Sequence, residues 1–374
     1  MKQLKLLIVD DDPSQLQLLL DKIKEKNVDL KKEDIEITTE TFTTGEEAIV
    51  KVTSNDYDVA VVDLKLSGDL KKTDGNDVIK EIKSKMRFPI FVLSNFPQDI
   101  DPIFEHETDV FKIKERSSTD LGTLVDELVI IYKSGISKLF GLDGKLDVLV
   151  TQALSELFWE RIAVSWNYLI KKIPDSSVRL RIISRQLSSI LKEKMEINDL
   201  GFDKTEPFEM YMIPPLKKHI YTGDIVEKSE NFYIVLTPAC DILPREEGKP
   251  KVNFILVAEL VELKKHDYLS DCWVGGKFSD AGKNKQVITN IIQNKKAEYH
   301  FLPPFNKSMG YVINFTNIFS IKYDELKLEN GYKIIASVME PFMKNIISRF
   351  TNFYNRLGQP DFDEVRILEE IKAL

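Results

Sequence analysis

LLIVDDDPSQLQLL, residues 6–19, sets three consecutive carboxylates directly behind a run of strand-forming apolar residues. Side-by-side anions repel, and a partly buried carboxylate without a partner is costly. Asp10, Asp11 and Asp12 therefore mark either a solvated helix start or a place that receives positive charge. The apolar residues of 14–26 then recur at helical spacing, so the stretch reads as strand, turn and helix.

Working outward, the alternation continues. Strands are expected at 4–9, 35–42, 58–63, 89–94 and 109–113, and helices at 14–26, 44–54, 75–85, 97–106 (a short one) and 119–134. Strand and helix in strict alternation predict an α/β fold: a doubly wound, flavodoxin-like, five-stranded parallel sheet. Ligands of such sheets bind beyond the carboxyl ends of the strands. YDVAVVDLKLSG (57–68) ends its strand in Asp63, FPIFVLSNF (88–96) in Ser94 and DVFKIKER (109–116) in Lys114. Convergence of these ends joins three acids, a hydroxyl and an ammonium. Asp10, Asp11 and Asp63 are a ligand set for Mg²⁺, a hard ion that takes carboxylates, waters and phosphate oxygens. Asp63 is then the nucleophile toward a phosphoryl donor, with Lys114 and Ser94 binding the phosphoryl oxygens.

VDDDP (9–13), VVDLKL (61–66), VLSN (92–95) and FKIK (111–114), in this order, resemble the receiver domain of bacterial two-component response regulators over residues 1–135. The resemblance implies that Asp63 accepts a phosphoryl group with Mg²⁺ as cofactor. It makes Ser94 and Phe111 the switch pair, Phe111 being the rotating aromatic. The implied partner is a histidine kinase or a GHKL-type ATPase. Four departures from the family bear on phosphate lifetime and partner choice. Glu115 stands where the family has proline after the lysine, Asn95 replaces a small residue, and Lys65 adds a cation at the mouth. Gly75 lies twelve positions beyond Asp63, so the intervening loop is longer than usual.

The remainder of the chain divides by texture. Residues 136–215 read as a helical spacer or dimerisation region, split at Pro174, with a homodimer contact and a purely intramolecular packing layer as the two alternatives. Residues 216–340 read as a small, mainly antiparallel β-barrel, faintly similar in strand order to the SH3-like barrel of plasmid-addiction toxins, and 341–374 as a closing helix and tail. In GDIVEKSENFYIVLTPACDIL (223–243), Cys240 and Asp241 with His300 are tentative output residues: a nucleophile and its partners, or a thiol packed inertly behind a buried run.

The charge is uneven. The net −8 arises from residues 1–210, with 30 basic against 39 acidic residues, while 211–374 carry 22 against 21. No basic stripe advertises a nucleic-acid surface. The two cysteines form no disulfide framework, and the short apolar run 6–9 is no signal peptide, so a cytoplasmic protein without a membrane partner is expected. The leading expectation is a signalling protein: a receiver coupled to a non-DNA-binding output. A receiver-gated nuclease or hydrolase, a DNA-binding regulator and a phosphate sink are the alternatives. Receivers with uncharacterised outputs also resemble components of bacterial conflict or phage-defence operons.

Overall fold

The computed structural model describes residues 1–374 apart from 55, 67–73, 105, 198–204, 216–218, 246–248, 306–307, 327–329, 357–361 and 374. The chain divides into two compact units, Met1–Leu200 and Gly201–Leu374.

The first unit opens with β1 (Lys2–Val9), α1 (Pro13–Leu30), β2 (Ile35–Phe42), α2 (Gly45–Val52), β3 (Val59–Val62), α3 (Gly75–Lys85), β4 (Ile90–Ser94), β5 (Phe111–Glu115) and α4 (Leu121–Lys133). Every pairing is parallel and the order is β2-β1-β3-β4-β5, the flavodoxin-like arrangement. The pleat explains the layers. Leu4, Leu6 and Ile8 of β1 face Leu19 and Ile23 of α1 and Leu124 and Leu128 of α4. Leu7 and Val9 face the other way, onto Ala48 and Val52 of α2 and Val78 and Ile82 of α3. A sheet covered on both faces needs strands that are apolar throughout, which is why β3 and β4 contain no charge. The order reverses between β1 and β3, so their carboxyl ends flank a crevice.

The segment before β5 departs from expectation. The short helix expected near 97–106 is two 3₁₀ turns, Pro97–Asp99 and Pro102–Phe104. Each begins on a proline, and Pro102 inside an α-helix from 97 would remove an amide donor and clash with the preceding turn. Most of the long loop after Asp63 lies outside the described residues. α3 starts again on an Asp74–Asp77 capping box.

Beyond α4 come α5 (Ile136–Phe140), α6 (Lys145–Glu156), a π-helical Leu157–Ile162, α7 (Ala163–Lys172) and α8 (Ser176–Ile197). Ala153, Leu157, Ile162 and Ile190 form their small core, whereas Leu146, Trp166 and Leu180 are exposed.

The second unit contains β6 (Tyr211–Met212), β7 (Asp224–Lys228), β8 (Asn231–Val235), α9 (Ala239–Ile242), β9 (Phe254–Glu262), the hairpin β10 (Trp273–Val274) and β11 (Lys277–Phe278), α10 (Gly282–Ile292), β12 (Tyr299–Leu302), β13 (Tyr311–Lys322), β14 (Lys333–Val338), α11 (Phe342–Tyr354) and α12 (Glu364–Ala373). Seven strands form one antiparallel sheet in the order β12-β13-β9-β8-β7-β14-β6. Its edges, β12 and β6, are not paired with each other among the described residues, so the sheet is an open half-barrel. Met343, Ile346 and Phe353 of α11 cover one face, on Ile234, Leu260 and Phe315. Val226, Val235, Ile255 and Val257 form a second core. Among the described residues no helix is long and apolar enough to cross a membrane.

Candidate functional site

The three carboxylates of the opening stretch do three different things. Asp12 caps α1, its Oδ1 accepting from the amides of Ser14 at 2.8 Å and Gln15 at 3.3 Å. Asp10 is buried at the end of β1, and its Oδ1 accepts from the Asp12 amide at 3.0 Å. Asp11, half-buried, joins Asp10 and Asp63 in a set of carboxylate oxygens within 4.8 Å of one another. β3 positions Asp63 by registering against β1, with the Asp63 amide donating to the Val9 carbonyl at 2.8 Å. Gly75 lies against the opposite side of that turn: a Cβ there would overlap the Asp63 carbonyl oxygen.

One cation is already inside this cluster, and it is Arg116. A terminal nitrogen of its guanidinium donates to Asp10 Oδ2 at 2.6 Å, Asp63 Oδ2 at 3.2 Å and the Leu93 carbonyl at 2.9 Å. The Arg116 and Asp10 side chains retain only 8% and 6% of their accessibility. Burial raises the Asp10 carboxyl above its ordinary range, against the pull of Arg116 and the Asp12 amide. Sequence reasoning missed Arg116. The available signal was a second basic residue two positions after Lys114, on the same side of an extended chain.

Lys114 does not join the cluster. Its Nζ pairs with Glu127 of α4 at 2.7 Å. Glu115 follows through a trans peptide, and a 3₁₀ turn starts at Arg116. Ser94 is fully buried at the end of β4, its Oγ accepting from the Phe96 amide at 3.3 Å. Phe111 is turned inward, packed with Ile100 and Phe104 and capped by Lys83 Nζ 3.5 Å from the ring centre. Lys65 sits outside, paired with Asp99 at 2.9 Å and over the Phe96 ring. Asn95 is exposed.

The tentative output residues do not converge. Cys240 Sγ lies 3.9 Å from Asp241 Oδ1, but Asp241 is paired with Lys251 at 2.9 Å. His300 is buried on the edge strand β12, in a cavity lined also by Met210, Asn294 and Phe342, which neither Cys240 nor Asp241 lines. Burial, helped by Arg349, pulls the His300 imidazole down to about 4. Cys240 is exposed, which corrects the expectation of a thiol packed behind a buried run: the chain turns into α9 after Pro238 and carries it outward.

No protein-family model and no curated protein matches the sequence. Several solved structures similar to the N-terminal third are receiver domains of response regulators or of histidine kinases. One is the N-terminal domain of a response regulator/sensory box/GGDEF three-domain protein from Carboxydothermus hydrogenoformans, 20% identical, covering 35% of this chain and 98% of that one at a TM-score of 0.28. The receiver domain of a Francisella response regulator is 24% identical and covers 35% and 97%, at 0.26. A receiver domain of a sensor histidine kinase from Pseudomonas aeruginosa, with magnesium coordinated in its active-site cleft, is 17% identical and covers 35% and 98%, at 0.27.

Proposed function

We propose that the first unit is a phosphoacceptor receiver and that the chain is a response-regulator-like signalling protein. The observation that carries this reading is the meeting of Asp10, Asp11 and Asp63 at the carboxyl ends of β1 and β3, where the strand order reverses. Three carboxylates at this spacing suit a hard divalent cation, and Asp10, Asp11 and Asp63 would hold Mg²⁺. The ion supplies charge neutralisation at the phosphoryl oxygens when bound. Asp63 is the nucleophile: a carboxylate oxygen attacks phosphorus, the bond from phosphorus to the donor atom breaks (nitrogen in a phosphohistidine, oxygen in an acyl phosphate), and the leaving group departs with its electron pair. Ser94 and Lys114 are assigned to the phosphoryl oxygens. At rest Lys114 is held by a partly exposed pair with Glu127, worth about 1 kcal/mol, so exchange of that partner for a phosphoryl group is inexpensive. The donor partner is a histidine kinase or a GHKL-type ATPase, and the second unit is the output.

Incubation with Mg²⁺ and a small phosphodonor, read by intact mass, tests the assignment. The wild-type chain gains one phosphoryl group, and Asp63→Asn gains none. Equal labelling of the Asn variant contradicts the reading.

The receiver-gated hydrolase reading gains no support from its residue set: His300 lines a cavity that neither Cys240 nor Asp241 lines, and Asp241 is paired with Lys251.

A further inference from the structure

We infer that Arg116 is the resting counter-ion of the carboxylate pocket and that a divalent metal must compete with it for the oxygens of Asp10 and Asp63. This rests on the reading above only in taking Asp10, Asp11 and Asp63 as the metal's ligands.

Three observations carry it. The guanidinium bonds Asp10 Oδ2 and Asp63 Oδ2, so it uses one oxygen of each of two carboxylates in the metal set. It is held there by the Leu93 carbonyl as well, and therefore belongs to the pocket and not to solvent. Its Nε is buried without a hydrogen-bond partner. That orphaned donor leaves the resting arrangement incompletely satisfied, the condition under which an internal cation can be exchanged. A guanidinium and a metal at the same oxygens would be like charges at contact distance, so the two occupancies exclude each other.

The consequence concerns Asp63. At rest its Oδ2 is engaged by Arg116, and release of that oxygen is coupled to metal loading. The Mg²⁺ requirement for phosphorylation is thereby shifted to higher concentration, because the ion must displace the guard as well as neutralise charge.

The test is Mg²⁺ titration of the full-length chain by isothermal calorimetry, with Mn²⁺ line broadening of the amides around Asp11 as a second readout. Arg116→Gln should bind Mg²⁺ at least about tenfold more tightly than wild type, the gain expected when even one of the guanidinium's two charge-assisted hydrogen bonds to the ligand carboxylates no longer has to be broken. Arg116→Lys should fall between the two. Lys65→Ala removes a positive charge paired with Asp99 outside the cluster, and should leave the affinity unchanged. Should Arg116→Gln fold poorly, Mg²⁺ should raise its melting temperature by more than it raises that of wild type. Equal or weaker Mg²⁺ binding by Arg116→Gln, or equal gains from Lys65→Ala, overturns the competition while leaving the metal site standing. Failure of every variant to bind metal removes the site itself, and the inference with it.

Discussion

Asp10, Asp11 and Asp12 were one puzzle in the sequence and have separate answers in the fold: a partner for Arg116, a member of the carboxylate cluster, and a helix cap. Burial of Asp10 makes the Arg116 pair consequential, since removing one partner of a buried ion pair leaves the other uncompensated, at about 3 kcal/mol. Two further predictions belong at this scale. Cys240 is exposed, and Cys272 is buried with its thiol pushed up by burial. An alkylating reagent near neutral pH should therefore modify one thiol of the native protein quickly, and Cys240→Ala should abolish that fast phase; two fast thiols would contradict the placement of Cys272. His300 concerns acid stability. Its folded-state pKa is about 4, below the ordinary 6.5, so the unfolded chain binds the proton first as pH falls. The second unit should lose stability between about pH 6.5 and 4, to a total of about 3 kcal/mol, and be insensitive to this group above and below that window. Replacing His300 with Gln should flatten that part of the urea-denaturation profile, and an unchanged slope would contradict the assignment.

The elements of the first unit were more legible than the side chains they carry. β2 and α3 have the expected boundaries because each is bracketed by turn or cap signals, Asp34 in a left-handed conformation before β2 and the Asp74–Asp77 box before α3. Lys114 rests outside the cluster for a physical reason: a strand pattern fixes which face a residue takes, not which of the basic residues near the strand's end finds the buried acids. Arg116 reaches three acceptors at once, and Lys114 has Glu127 of α4 within reach. α3 yields an element-scale prediction. Gly75 begins the helix with its Cα against the Asp63 carbonyl. Gly75→Ala should cost about 2 kcal/mol through forced displacement of the turn that carries Asp63, measured by chemical denaturation, and should reduce phosphoryl labelling. Wild-type stability in this variant would show that the turn has room.

At the scale of the whole chain, the two units differ in what their sequences disclose. Parallel strands separated by single helices leave few alternative orders, so five short apolar runs, four of them ending in Asp, Asp, Ser and Lys, were enough to anticipate the first unit's sheet. In the second unit the antiparallel β texture was recognisable but the strand order was not. β14 lies between β7 and β6, and β9 pairs with both β8 and β13, through contacts that no local pattern encodes. The open edge at β12, where His300 sits, follows from that order and could not be anticipated without it. Signalling from such a molecule depends on whether the first unit carries the chemistry assigned to it. The most direct measurement is reductive trapping of the phosphodonor-treated, full-length protein with borohydride, followed by peptide mapping. The account predicts conversion of residue 63 to homoserine, dependent on Mg²⁺ and absent from Asp11→Asn. Trapping at any other aspartate, or none in a folded wild-type protein supplied with Mg²⁺ and donor, would contradict it.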